Sequence, residues 1–210
     1  MGRLAVVTGA SSGIGLATAK ALGERGFQVL AGVRNAADGE RVGRAAGVEP
    51  VLVDITKPAD VAALADRVGD VAGARGLTAL VNNAGITVNA PVETLPMDEW
   101  RRQFEVNFFG QVAVIQALMP ALRDAGGRVV NVSSIGGRVA GPTFGAYAAS
   151  KFALEAMSDS LRREVAPQGG GRDPDRARVR RHADLGKGHV GRAGPGREHR
   201  PSDARALRRP

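Results

Sequence analysis

Tyr147 and Lys151 stand four residues apart in Tyr147-Ala148-Ala149-Ser150-Lys151, and Ser134 lies thirteen residues before the tyrosine. On a helix, this spacing puts the phenol and the ammonium on one face, one turn apart. An ammonium held beside a phenol favours the phenolate, so such a pair could trade a proton near neutral pH. Ser134 follows an apolar run, in Asn131-Val132-Ser133-Ser134, where a strand should end. A hydroxyl there could hydrogen-bond the oxygen of a carbonyl that Tyr147 protonates. Tyr-x-x-x-Lys alone is a common helical spacing, and an exposed helical pair is the competing reading. The stretches upstream decide between them.

These side chains need elements to position them, and the chain supplies strands and helices in alternation. Residues 3–8 are a short apolar run that reads as a strand buried on both faces. Thr8-Gly9-Ala10-Ser11-Ser12-Gly13-Ile14-Gly15 follows, then a helical pattern to about Arg25. Glycines at 9, 13 and 15 permit a tight turn and a close approach of backbone to ligand, and the helix start offers N–H groups to a phosphate. Between a first strand and a first helix, that pattern points to a dinucleotide. The second strand is expected at 27–33. It ends in Val33-Arg34-Asn35, with no acid before Asp38. An acid would bind a ribose 2′-hydroxyl, whereas Arg34 suits a 2′-phosphate, so NADP(H) is expected rather than NAD(H). A solvated surface arginine is the alternative.

A third strand at 50–53 ends at Asp54-Ile55, and an amphipathic helix covers about 57–74. The fourth strand, 77–81, ends in Asn82-Asn83-Ala84-Gly85, where Gly85 leaves room for a ribose; the same residues also favour a plain turn. Asp98 is expected to cap a long helix to about Arg123. Asn107 and Gly110 are poor residues for its middle, which predicts a local distortion such as a freed carbonyl that orders a water. Gly126-Gly127 ends that helix. A fifth strand at 128–132 leads to Ser134, and the helix carrying Tyr147 and Lys151 runs to about Val165. The expected fold is α/β: a doubly wound parallel sheet of the Rossmann kind.

Together these stretches resemble the short-chain dehydrogenase/reductase family over residues 3 to about 168. The resemblance rests on Thr-Gly-x-x-x-Gly-x-Gly at 8–15, Asn-Asn-Ala-Gly at 82–85, Asn107, Ser134 and Tyr147-x-x-x-Lys151. It implies that Tyr147 is the general acid/base and that Lys151 assists it and holds the nicotinamide ribose. It further implies that Ser134 orients the substrate oxygen and that Asn107 keeps a proton-relay water. Gly9, Ser11, Ser12, Gly13, Ile14 and Gly15 would meet the cofactor together with Arg34; Asp54 and Ile55 would flank the adenine, and Asn82, Ala84 and Gly85 would line the adenosine ribose side. The implied reaction is reversible hydride transfer between NADP(H) and a secondary alcohol or ketone. Val88, Ala90, Pro91 and Phe144 suggest a hydrophobic substrate. The family often pairs subunits through the two long helices, so a homodimer or homotetramer is expected if the fold completes.

Composition limits the alternatives. There is no cysteine, and His182, His189 and His199 all lie late, so the body has neither a thiolate site nor an imidazole base. No apolar run approaches the roughly 20 residues of a membrane span, and the first ten residues lack the apolar length of a signal peptide. No membrane partner is expected, and the expected location is cytoplasmic. The net charge is +8, but residues 1–168 hold 17 Lys+Arg against 16 Asp+Glu. The excess belongs to residues 169–210, a Gly/Arg/Pro-rich tail without aromatics that reads as disordered. With no stacking residues or motif in that tail, nucleic acid is not an expected partner.

The tail also departs from the family, which continues with two more strands and a Pro-Gly-x-x-x-Thr segment. Regrouping the codons allowed for residues 172–188 one nucleotide later permits Val-Thr-Leu-Ile-Glu-Pro-Gly-x-x-x-Thr-Pro-Ile-Trp-Glu-Lys. The expectation is a shifted reading frame near residues 168–171, with the last two strands absent and domain 1–168 incomplete. The fifth strand would then be an open edge, with apolar surface uncovered, poor folding and slow turnover. The competing function is a dinucleotide-binding remnant, or a partner of a full-length relative, without catalysis.

Overall fold

The structure is a computed structural model that describes residues 2–166 and the backbone of residues 179–181. Six strands form one sheet: β1 (Arg3–Val7), β2 (Phe27–Val33), β3 (Val48–Leu52), β4 (Ala79–Asn82), β5 (Arg128–Asn131) and β6 (Val179–Arg181). Their order is β3-β2-β1-β4-β5-β6, and every pairing is parallel. The helices are α1 (Gly13–Glu24), α2 (Ala36–Val42), α3 (Pro58–Ala72), α4 (Met97–Phe104), α5 (Gly110–Asp124) and α6 (Gly145–Val165).

Strand alternation divides the core between the two faces. Leu4, Val6 and Leu30 join Leu64 and Val68 of α3 and Val114, Leu118 and Leu122 of α5. Ala5 and Val7 alternate with them in β1; Val7, Val29 and Ala31 pack instead with Ala19 of α1 and Val42 of α2. Strands buried on both faces need apolar residues at every buried position, which is why β1 is apolar from Leu4 to Val7 and β2 from Val29 to Val33. The doubly wound parallel sheet expected from the sequence is therefore present.

The structure adds detail that differs from expectation. Helix α2 is an additional element, started by Asn35, whose side chain accepts from the Asp38 N–H at 2.9 Å. Strand β3 begins at Val48 rather than at residue 50. Asp98 lies in the first turn of α4 and does not cap it; Pro96 stands at the cap position without a side-chain bond. The expected distortion near Asn107 is a five-residue π-helix, Glu105–Phe109, joining α4 to α5. The run Met97–Asp124 is the one described helix long and apolar enough to cross a membrane, yet Gln103, Asn107 and Gln111 are buried on it within the protein. Beside β5, where the sequence suggests an open edge, β6 pairs Val179 with Val129 and Arg181 with Asn131. The remaining expectations for residues 169–210 lie outside the described residues.

Candidate active site

Beyond β5 the chain reaches Ser134, which starts a single 3-10 turn, Ile135–Gly137, and accepts the Gly136 N–H on its Oγ at 3.0 Å. That bond occupies the hydroxyl as an acceptor and leaves its proton to donate elsewhere. Gly136 also packs between Ser134 and Tyr147. A Cβ built on it would stand 3.0 Å from Tyr147 Cε1 and 3.5 Å from Ser134 Oγ. The two proposed catalytic side chains thus flank one point, and only glycine leaves that point clear. Tyr147 lies in the first turn of α6, half-buried, with the Phe144 ring set edge-on at 6.4 Å between centroids.

Lys151 follows one turn later and is 5% exposed. Its Nζ donates to the Val132 carbonyl at 2.8 Å and lies 5.9 Å from the centre of the Tyr147 ring. Burial lowers the ammonium from 10.5 to about 8, and the Glu155 carboxylate opposes that shift. Lysine and tyrosine therefore do share a face, with the lysine anchored to the end of β5.

Asn107 is fully buried in the π-helix. Its Oδ1 accepts the Ile86 N–H at 2.8 Å, and its Nδ2 donates to the Ile86 carbonyl at 3.0 Å and to Ser150 Oγ at 3.2 Å. Ser150 in turn donates to the Tyr147 carbonyl at 2.7 Å. Asn107 thus links the loop after β4 to the helix that bears the tyrosine.

A cleft opens where the strand order reverses between β1 and β4, the usual ligand position in such sheets. Gly9, Ser11, Ser12, Arg34, Asp54, Ile55, Ala84 and Gly85, all expected to meet a cofactor, line it. Its volume is about 270 Å³, short of the roughly 300–1,000 Å³ of most small-molecule sites, so it suits part of a dinucleotide. Gly9, at φ 63°, lets the loop lie against Ala84; a Cβ there would come 2.7 Å from Ala84 Cα. Asp54 accepts from Thr56 Oγ1 at 2.7 Å and from Thr56 N–H at 3.0 Å, and the hydroxyl bond above all holds its carboxyl below the ordinary value. Nearby Arg34, exposed at the cleft mouth, adds to that effect.

Gly13, Ile14 and Gly15 form the first turn of α1 and are not among the lining residues. Ser12 precedes them without a side-chain cap bond, which leaves their amides suited to an anion. The uncapped turn and the open glycine loop fit the phosphates of a nicotinamide dinucleotide.

Asn82 is a correction. It is fully buried and donates through Nδ2 to Asn131 Oδ1 at 3.0 Å, tying β4 to β5 rather than facing the cleft. Asn83 lines the cleft instead, donating to the carbonyls of Thr8 at 3.1 Å and Gly9 at 2.9 Å. Thr8 Oγ1 accepts from the N–H groups of Asn83 and Ala84 at 3.0 and 3.1 Å. Two further buried amides brace the same loop. Gln103 donates to the Ile86 carbonyl and accepts from Val88 N–H, and Gln111 donates to the Ala84 carbonyl. Gln103, Asn107 and Gln111 are four apart, a visible stripe in the sequence that points to a common face.

Comparisons with known proteins agree with this geometry. The family profile described as short chain dehydrogenase matches residues 3–169. Mouse retinol dehydrogenase 5 is 43% identical over 166 residues, covering 78% of this chain and 52% of the relative. The uncharacterized oxidoreductase YbbO of Escherichia coli K12 is 42% identical over 170 residues, covering 80% and 62%. Among solved structures, a short-chain dehydrogenase from Streptomyces avermitilis superposes with a TM-score of 0.78 at 34% identity, covering 86% of this chain and 64% of that one. A short chain dehydrogenase from Burkholderia cenocepacia J2315 in complex with NADP gives 0.73 at 39% identity, covering 86% and 70%. The chain thus spans between about half and under two-thirds of the length of these two curated relatives.

Proposed function

The chain belongs to the short-chain dehydrogenase family, and on that premise we propose that it interconverts a hydrophobic secondary alcohol and its ketone with NADP(H). The observation that carries this reading is the convergence of Ser134 Oγ and the Tyr147 ring on Gly136, with Lys151 one turn behind. When bound, NADP(H) supplies or accepts the hydride. The chain's own residues do the rest. In the reducing direction Tyr147 Oη gives its proton to the substrate oxygen, and Ser134 Oγ donates a hydrogen bond to the same atom. Lys151 holds positive charge on the face the phenolate develops toward. Asn107 braces the loop and helix that carry the site; a proton-relay water at its π-helix belongs to the same proposal.

Arg34 supports a 2′-phosphate, with Asp54 beside it on the adenine side. Phe144, edge-on to the tyrosine ring, and Ile135, next to Ser134, are exposed apolar side chains. They support a bulky apolar substrate, as does the name of the retinol dehydrogenase relative. Phe109 of the π-helix and Phe152 of α6 are exposed apolar side chains that suit pairing of subunits into a homodimer or homotetramer.

Tyr147→Phe tests the activity. It removes turnover of apolar ketones while leaving NADPH affinity within about two-fold, since the ring and its packing remain. The part-length match to the relatives favours a second reading, a dinucleotide binder without catalysis. A chain that binds NADPH yet turns over no ketone or alcohol before substitution would fit that reading and sink the first. Fluorescence titration checks the cofactor: NADPH is expected to bind at least about ten-fold tighter than NADH, and Arg34→Gln to erase the difference.

A further inference from the structure

We propose that Glu155 and Arg138 act as positioning residues that set the charge of Lys151. This rests on the reading of Lys151 as a catalytic residue. Glu155 lies on α6 one turn beyond Lys151 and is only 7% exposed. A carboxylate in such a place needs a positive partner. Arg138 supplies one from the loop that follows Ser134, with Nη2 3.6 Å from Glu155 Oε2. Its side chain is half-exposed, whereas that of Glu155 is not. Lys151 lies one turn before Glu155 on the same helix, within reach of the carboxylate's field.

The packing makes this contact part of the site rather than a surface ion pair. A Cβ on Gly137 would fall 2.8 Å from Ser133 Oγ, 3.0 Å from Glu155 Cγ and 3.2 Å from the Lys151 carbonyl. The 3-10 turn after Ser134 is therefore pressed onto the Lys151–Glu155 stretch with no room for a side chain. Lys151 loses water on burial, which disfavours its charged form, and Glu155 is the group whose field restores it. Arg138 works against that restoration by competing for the same carboxylate. Other charged groups on neighbouring elements lie elsewhere. Arg102 and Glu105 border the nucleotide cleft with Arg34 and Asp54, and Asp159, a turn further along α6, pairs with Arg162. A shift of the Arg138 loop would then alter the proton affinity of Lys151, so the substrate side and the proton chemistry are linked through one carboxylate.

The two residues predict opposite signs, which a merely structural ion pair does not. The chain has four lysines, Lys20, Lys57, Lys151 and Lys187, so side-chain nitrogen NMR on lysine-labelled protein can follow each after assignment by Lys→Arg variants. Lys151 is expected to titrate near pH 8 in the unaltered chain. Glu155→Gln lowers its proton affinity by about three-fold or more, Arg138→Gln raises it, and Glu155→Asp leaves it close to the original. The alkaline limb of the turnover profile moves in the same directions. Unchanged Lys151 midpoints in Glu155→Gln and Arg138→Gln overturn the proposal. If Glu155→Gln does not fold, Arg138→Gln decides alone, because the replaced side chain is half-exposed and Lys151 remains as a cation acting on the Glu155 carboxylate. If the lysine responds with these signs and no turnover is found, the catalytic reading falls while the electrostatic coupling stands.

Discussion

Lys151 carries its charge in a place that disfavours it, and that conflict has a stability cost. The folded chain binds the Lys151 proton with an affinity near pH 8, whereas the unfolded chain holds it near 10.5. Below about pH 8 both states are protonated and the full cost is present. Between those values the unfolded state binds more protons, so stability rises with pH across the window. The cost is about 3 kcal/mol, set against the hydrogen bond to the Val132 carbonyl, worth about 1 kcal/mol. Lys151→Met is therefore expected to raise the unfolding free energy by about 1–3 kcal/mol at pH 7, with the gain fading by pH 10.5. Urea melts at the two pH values check this; an equal effect at both would sink it. Gly136 tells a complementary story. Gly136→Ala places a methyl 3.0 Å from Tyr147 Cε1 and forces the ring aside by a few tenths of an ångström. Turnover should fall by about ten-fold or more, while NADPH affinity and melting temperature stay near their original values.

At the scale of elements, the α4–α5 helix acts as a brace for the loop after β4. Gln103, Asn107 and Gln111 are fully buried, and all three hydrogen-bond backbone between Ala84 and Val88. The π-helix lies in the middle of this stripe, and Gly110 follows it because a Cβ there would meet Ile55 at 2.8 Å. Asn107→Ala removes a donor and an acceptor from Ile86 at once and releases Ser150. We expect a loss of about 1–3 kcal/mol in urea unfolding, with a weakened hold on dinucleotide because Ala84 and Gly85 line its cleft. A variant as stable as the original would show that the brace is redundant. The distortion was legible in the sequence because asparagine and glycine are poor mid-helix residues. The brace was not, because each amide alone reads as tolerated polarity and only their shared spacing gives it away. The same holds for the paired asparagines after β4. Adjacent strand residues point to opposite faces, and which one turns inward depends on register. Asn82 sits opposite Asn131 in the β4–β5 register, so it is the one taken up between strands, and Asn83 is left for the cleft.

Across the whole molecule, the parallel doubly wound sheet and the glycine-loop cleft followed from the alternation of apolar runs with helical periods, since parallel strands need crossover helices; the order of the strands came from the structure. The sixth strand was not legible. Val179, Arg180 and Arg181 belong to a basic stretch with no apolar period, and only the unpaired backbone of β5 makes them a strand. Their pairing turns what would be an exposed edge into an inner position. If this three-residue ladder contributes to the fold, breaking it must show. Proline placed singly at Val179, Arg180 and Arg181 removes, in at least one case, an N–H that the ladder uses. Each lost ladder bond is worth about 1 kcal/mol, which for a domain of this size lowers Tm by about 2–4 °C. The β5 edge is freed at the same time, so light scattering should rise on gentle heating. Calorimetry and scattering on the three variants test this together. Three melts that coincide with the original, without added scattering, would mean that β6 lies beside β5 without supporting it.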